Sequence, residues 1–295
     1  MMKRRFLTSL LLLGILCASL NTVSAQFLKS GTTLLKSGSV LLTGEATASS
    51  YCAEYQAVYN AMTTKPTVYD GNQNTLVVDL KAAGIWAKGN LCYVFAQESN
   101  GAGEAYLNWL APTGDDNCTE SGVITFKVDS CVVSDGAASY LITNWNASTE
   151  GDGISSQNSM TIACYILNNA AETKAAITAG TSNYITLTAR SAGGSFQGKV
   201  NCNDNIINTG IGTSAGFSVI VRPDAANLAS YKNGADPTAL AEASTGVDNY
   251  VMRLLNTSTW QVAFIWVGAL LDATEVANFN TAVEKYMDAL SIGVE

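Results

Sequence analysis

From Gly122 onward the chain is cut into short stretches of β-branched and aromatic residues parted by Gly, Asn, Asp and Ser, and few architectures tolerate that rhythm. Segments 124–128, 159–167, 184–190, 195–200, 217–222, 250–255 and 261–267 each read as one strand. Many short strands at this pitch build two packed antiparallel sheets. In Met160, Ile162, Cys164 and Ile166 the period of two places one set of side chains on a single face, which is expected to be the inner one. The expected fold class is mainly β, a two-sheet antiparallel sandwich.

Helices are signalled at both ends of this region. Tyr51, Tyr55, Val58, Tyr59 and Met62 recur at the spacing of one helix face after Ser49 and Ser50, and Pro66 bars continuation. A second short helix is predicted over 74–83, followed by Gly84 as a stop, and a strand over 91–97. Near the other end, Asp272 and Glu275 form an Asp-x-x-Glu capping box, with Leu271 and Val276 placed as a hydrophobic staple. Val276, Phe279, Val283, Tyr286, Met287 and Leu290 continue as an apolar stripe that must find a partner face. The expected organisation is therefore a leader at 1–25, an extended tail or hairpin at 26–47, a small helical lead-in at 48–115, and the sandwich with its closing helix at 116–295.

The leader rests on Lys3, Arg4 and Arg5 ahead of an uncharged apolar run, with Val23-Ser24-Ala25 as a small-x-small ending. Its apolar run is shorter than the roughly 20 residues a spanning helix needs, so export and cleavage are expected, with no membrane span remaining. Export would place the six cysteines outside the leader, Cys52, Cys92, Cys118, Cys131, Cys164 and Cys202, in an oxidising compartment, where an even count reads as disulfides. Buried free thiols are the alternative. Two near-copies of a seven-residue unit, Leu28 to Leu34 and Leu35 to Leu41, suit short strands joined by turns and could pair with a neighbouring molecule.

Sixteen Lys and Arg stand against 24 Asp and Glu, so a phosphate backbone would be repelled and nucleic-acid binding is excluded as an expectation. The chain contains no histidine, which removes Ser-His-Asp and Cys-His catalysis and imidazole-ligated zinc. Any hydrolase chemistry would fall to carboxylates.

Gly136 to Leu141, the strand from Met160 to Leu167, the segment Phe217 to Gly234, and Val262 to Gly268 followed by Asp-Ala-Thr-Glu-Val together resemble the concanavalin A-like or laminin G-like jelly rolls. Such domains occur in bacterial surface proteins and in tailed-phage appendage proteins. The resemblance implies a jelly-roll sandwich that binds sugars or proteins. Jelly-roll glycosidases carry Glu-x-Asp-x-x-Glu on one strand. Glu150-Gly-Asp152 is the nearest match here, but Ser155 stands where the last Glu belongs and glycines place it in a loop. No enzyme is expected.

Sugar binding asks for an aromatic face beside amides or carboxylates. Trp145 between Asn144 and Asn146, and Trp260 after Asn256-Thr-Ser-Thr, meet that description in loop-like contexts, and both also suit core packing. Asn203 and Asp204, with Asn201 and Asn205, supply oxygens of the type calcium takes, although turns favour the same residues. No other cofactor is indicated. The sequence thus predicts a secreted, non-enzymatic module binding glycans or another surface component through Asn144, Trp145, Asn146 and Trp260. The alternative is a structural subunit of an extracellular filament, surface layer or phage appendage that self-assembles through residues 26–47.

Overall fold

The computed structural model describes residues 51–180, 185–204, 206–208, 210–235, 237–247 and 249–294, together with the pairs 36–37 and 40–41. The expected leader and most of the repeated segment lie outside the described residues. Two units are distinguished, 1–50 and 51–295. In the first, Lys36–Ser37 (β1) pairs antiparallel with Val40–Leu41 (β2), within the second copy of the seven-residue unit.

The second unit is the expected two-sheet antiparallel sandwich with helices added on one side. Its strands are Gly89–Val94 (β3), Thr119–Ser121 (β4), Ile124–Lys127 (β5), Cys131–Ser134 (β6), Tyr140–Asn146 (β7), Met160–Ile166 (β8), Ile177–Ala179 (β9) and Ile185–Thr188 (β10). They continue with Phe196–Val200 (β11), Ile206–Asn208 (β12), Gly216–Arg222 (β13), Asn227–Lys232 (β14), Thr238–Ala241 (β15), Val251–Leu254 (β16) and Val262–Gly268 (β17). One sheet runs β12-β11-β10-β9-β16-β7-β4, and the other runs β15-β14-β13-β8-β17-β6-β5 with β3 also paired to β17. Met160, Ile162, Cys164 and Ile166 do face inward, where they meet Leu187, Phe196, Leu254, Trp260 and Ile265 in the core between the sheets.

Three helices, Ala53–Ala61 (α1), Asp70–Ala82 (α2) and Ala273–Ala289 (α3), cover the outer face of the second sheet. This explains why β8, β13 and β17 are buried along their whole length instead of alternating. Tyr165, Phe217, Phe264 and Trp266 point into this second core, where Phe279 of α3 lies 4.8 Å from Phe217, 5.8 Å from Phe264 and 5.4 Å from Trp266 between ring centroids. The capping box forms: the Asp272 carboxylate accepts from the Glu275 amide at 2.8 Å, and Glu275 accepts from the Asp272 amide at 2.9 Å. Leu271 and the stripe from Val276 to Leu290 are buried as their spacing requires. α2 begins four residues ahead of the predicted helix, with Tyr69 at its N-cap position and no side-chain cap to announce it.

The cysteines depart from expectation. All six are free thiols, five of them buried. Cys92 lies opposite Trp266 and Cys164 opposite Ile265, on the two strands flanking β17. Successive residues of a strand face opposite ways, so Cys92 belongs to the helix-side core and Cys164 to the core between the sheets. Cys118, Cys164 and Cys202 share the inter-sheet core without bridging. Burial raises the Cys92 and Cys118 thiols well above their ordinary range and that of Cys164 to about 12, so these side chains act as small hydrophobes.

Candidate functional site

Among the described residues the outer face of the β12-to-β4 sheet carries no helix, and β7, β10, β11 and β16 alternate buried with part-exposed residues. Ile185, Leu187, Phe196, Val200, Met252 and Leu254 point inward, which sends Thr186, Thr188, Gln197, Lys199, Val251 and Arg253 outward. The strand register lines up Thr119, Ile142, Arg253, Thr178, Thr186 and Lys199 as one row across the sheet. Beside it, Thr188 stands opposite Gln197. At Gly198 a Cβ would come within 2.2 Å of the Thr186 carbonyl and 2.4 Å of Ile220, so only glycine lets this part of the sheet lie on its neighbour.

Two open depressions occupy this face. One of about 710 Å³ is lined by Thr173, Lys174, Thr178, Thr186, Thr188, Ser191, Gln197, Lys199 and Asn256. The other, of about 340 Å³, is lined by Ile142, Thr178, Tyr250, Val251, Arg253 and Asn256. They share Thr178 and Asn256. Tyr250 is 46% exposed, a large aromatic on the surface next to hydroxyl and amide groups. The Arg253 guanidinium lies 4.5 Å over the Tyr140 ring, and Lys199 donates to the Asn203 carbonyl at 2.9 Å. Among the described residues, neither lining includes an Asp or Glu.

The residues predicted as contacts fall elsewhere. Trp145 and Trp260 are 1% and 0% exposed and belong to the core between the sheets, so neither offers a ring to a ligand. Trp145 lies on strand β7, not in a loop, and its indole donates to the Glu150 carbonyl at 3.0 Å. Asn144 is exposed in a left-handed conformation and donates to the Asn117 carbonyl at 2.9 Å, while Asn146 donates to Asn249 at 2.8 Å. These amides secure the end of β7. The signal that distinguishes the two situations is the alternation Leu141, Thr143, Trp145 against Ile142, Asn144, Asn146, which marks a half-buried strand. The same alternation in β10, β11 and β16 points to the outward set.

Asn203 and Asp204 are exposed turn residues. The neighbouring Asn201 is buried and donates to the carbonyls of Ser156 and Gln157, and the Asp204 amide donates to Glu242 at 3.4 Å. Among the described residues no three Asp, Glu or Cys side chains gather as a metal cluster. Glu150 accepts from the Asn146 amide at 2.5 Å, and Asp152 is exposed in a left-handed turn. Burial, and then the charges of Glu150, Asp115 and Asp152, push the Asp116 carboxyl above its ordinary range.

No protein-family model matches the sequence, and no curated protein matches it significantly. Among solved structures the fold is similar to that of the botulinum neurotoxin serotype D binding domain, with a TM-score of 0.50 at 11% identity over 68% of this chain and 53% of that one. Domain 4 of AbnA, a GH43 extracellular arabinanase from Geobacillus stearothermophilus, in complex with arabinotriose, gives 0.41 at 14% identity over 65% of this chain and 98% of that one. A Trypanosoma rangeli sialidase in complex with 2,3-difluorosialic acid gives 0.46 at 10% identity over 72% of this chain and 38% of the sialidase. The chain therefore spans about half of the toxin domain and less than half of the sialidase. At such identities the likeness is one of fold, a two-sheet β-sandwich. Among the described residues no helix is long and apolar enough to cross a membrane.

Proposed function

We propose that the chain is a non-enzymatic, exported glycan-binding module of the concanavalin A-like kind, and that its ligand lies across the uncovered face of the β12-to-β4 sheet. The carrying observation is Tyr250, exposed on that face beside depressions lined by Thr178, Thr186, Thr188, Gln197 and Asn256. A pyranose presents an apolar CH face and a rim of hydroxyls. An exposed aromatic takes the first, and hydroxyl and amide groups exchange hydrogen bonds with the second. The non-enzymatic part is supported by the use already made of Glu150, whose carboxylate and carbonyl hold the end of β7, and by the lack of carboxylates in the described linings. Retention on a glycan array, with loss of about tenfold in affinity for Tyr250→Ala, about 1.4 kcal/mol, is the expected result. Retention unchanged in both Tyr250→Ala and Gln197→Ala would move the ligand off this face.

A further inference from the structure

Building on that reading, we infer that the ligand of the uncovered sheet face is an acidic oligosaccharide, one carrying carboxylate groups on successive sugars. The chain as a whole is acidic, with a formal net charge of −8, yet the ionisable side chains in the described linings of the two depressions are cationic apart from Tyr250: Lys174, Lys199 and Arg253. Random placement of 24 acidic and 16 basic residues would favour carboxylates there. Among the described residues Arg253 has no salt-bridge partner, and its guanidinium carbon lies 4.5 Å from the centroid of the Tyr140 ring. The edge of the guanidinium, which carries the N–H donors, suits the two oxygens of a carboxylate.

The placement of the cations also speaks to ligand length. Arg253 and Lys199 stand in the same cross-strand row with Thr178 and Thr186 between them. Three strand spacings part them, about 14 Å, which is more than one sugar ring can bridge. A chain of sugars laid across the strands would meet a cation, the Thr186 hydroxyl and a second cation in turn. Repulsion from the rest of the acidic surface is screened beyond about 8 Å at physiological salt, so the local cations decide.

The test uses the full chain and two probe pairs, oligogalacturonate and oligoguluronate, each beside its methyl ester, which keeps the backbone and removes the charge. Binding of at least one acid form, weakened by added salt and by esterification, is expected. Arg253→Gln should lower that affinity by about tenfold, as for a hydrogen bond to a charged group. Lys199→Gln should lower it about threefold, as for an exposed ion pair, and Arg253→Lys should restore part of the loss. Unchanged thermal midpoints in these surface variants exclude unfolding as the cause. If the esters bind as well as the acids, or if only neutral glycans are retained, the acidic inference is overturned while the glycan reading stands. If no glycan of any kind is retained, both fall.

Discussion

The two sheets of the sandwich are built from similar residues and treated differently by the chain. The sheet containing β8, β13 and β17 is enclosed on both faces, by its partner sheet and by three helices. Among the described residues the sheet containing β10, β11 and β16 is enclosed on one face alone and shows threonines, Gln197 and two cations on the other. The first has become a slab of core. The second keeps a polar surface on its outer side, and the contrast sets a layer built for packing beside the layer on which the proposed ligand would lie.

The contrast breaks most sharply at Trp266. Its ring packs on Phe279 across the sheet–helix boundary, so Trp266→Ala should cost about 3–5 kcal/mol in chemical denaturation, and a loss below about 1 kcal/mol would mean the helix layer adds little. Next comes Gly198→Ala, where overpacking against the Thr186 carbonyl and Ile220 should cost about 1–3 kcal/mol without touching the helices.

Acid should test how the helix layer is held. Burial raises the Glu98 carboxyl, but the amides of Thr67, Val68 and Tyr69, donating at 2.9, 2.8 and 2.7 Å, outweigh it, and the net shift is downward from 4.5. A depressed carboxylate contributes fully above its unfolded value, and its contribution is lost as pH falls through the lower folded value. Stability should therefore drop below about pH 4.5 as this clasp between the α1–α2 connection and the segment after β3 is protonated. In Glu98→Gln that acid limb should flatten, and an unchanged profile would assign the drop to other groups such as Glu104, which is lowered in the same way. The smallest effect belongs to the uncovered face, where Thr186→Ala should change stability by no more than about 0.5 kcal/mol while weakening glycan retention. A large stability loss there would show that the polar row is structural.

Much of the scaffold could be read from local chemistry. The capping box and the apolar stripe of α3 depend on contacts within a few residues and stand at their predicted positions, and both staple residues, Leu271 and Val276, are buried. Strands β8, β13 and β17 carry enough β-branched and aromatic residues to be found within one residue of their ends. β7 was missed because Asn144 and Asn146 resemble turn residues in composition, and only their alternation with Leu141 and Trp145 reveals a strand. The same alternation turns Trp145 inward. The site itself was hidden for another reason. Thr178, Thr186, Lys199 and Arg253 become neighbours through inter-strand register, a relation between distant segments that no local pattern encodes.

The placement of β17 bears on the order in which the molecule can be completed. This strand, ending at Gly268, lies between β8 on one side and both β3 and β6 on the other. A chain emerging from its N-terminus has already delivered those three strands long before their shared neighbour arrives. Until then their edges wait unzipped, and closure of the layer is a late event joining segments some 170 positions apart, a separation associated with slow folding and with exposure to aggregation in the interval. Holding partners during emergence would matter more for this chain than for one whose middle strand comes early.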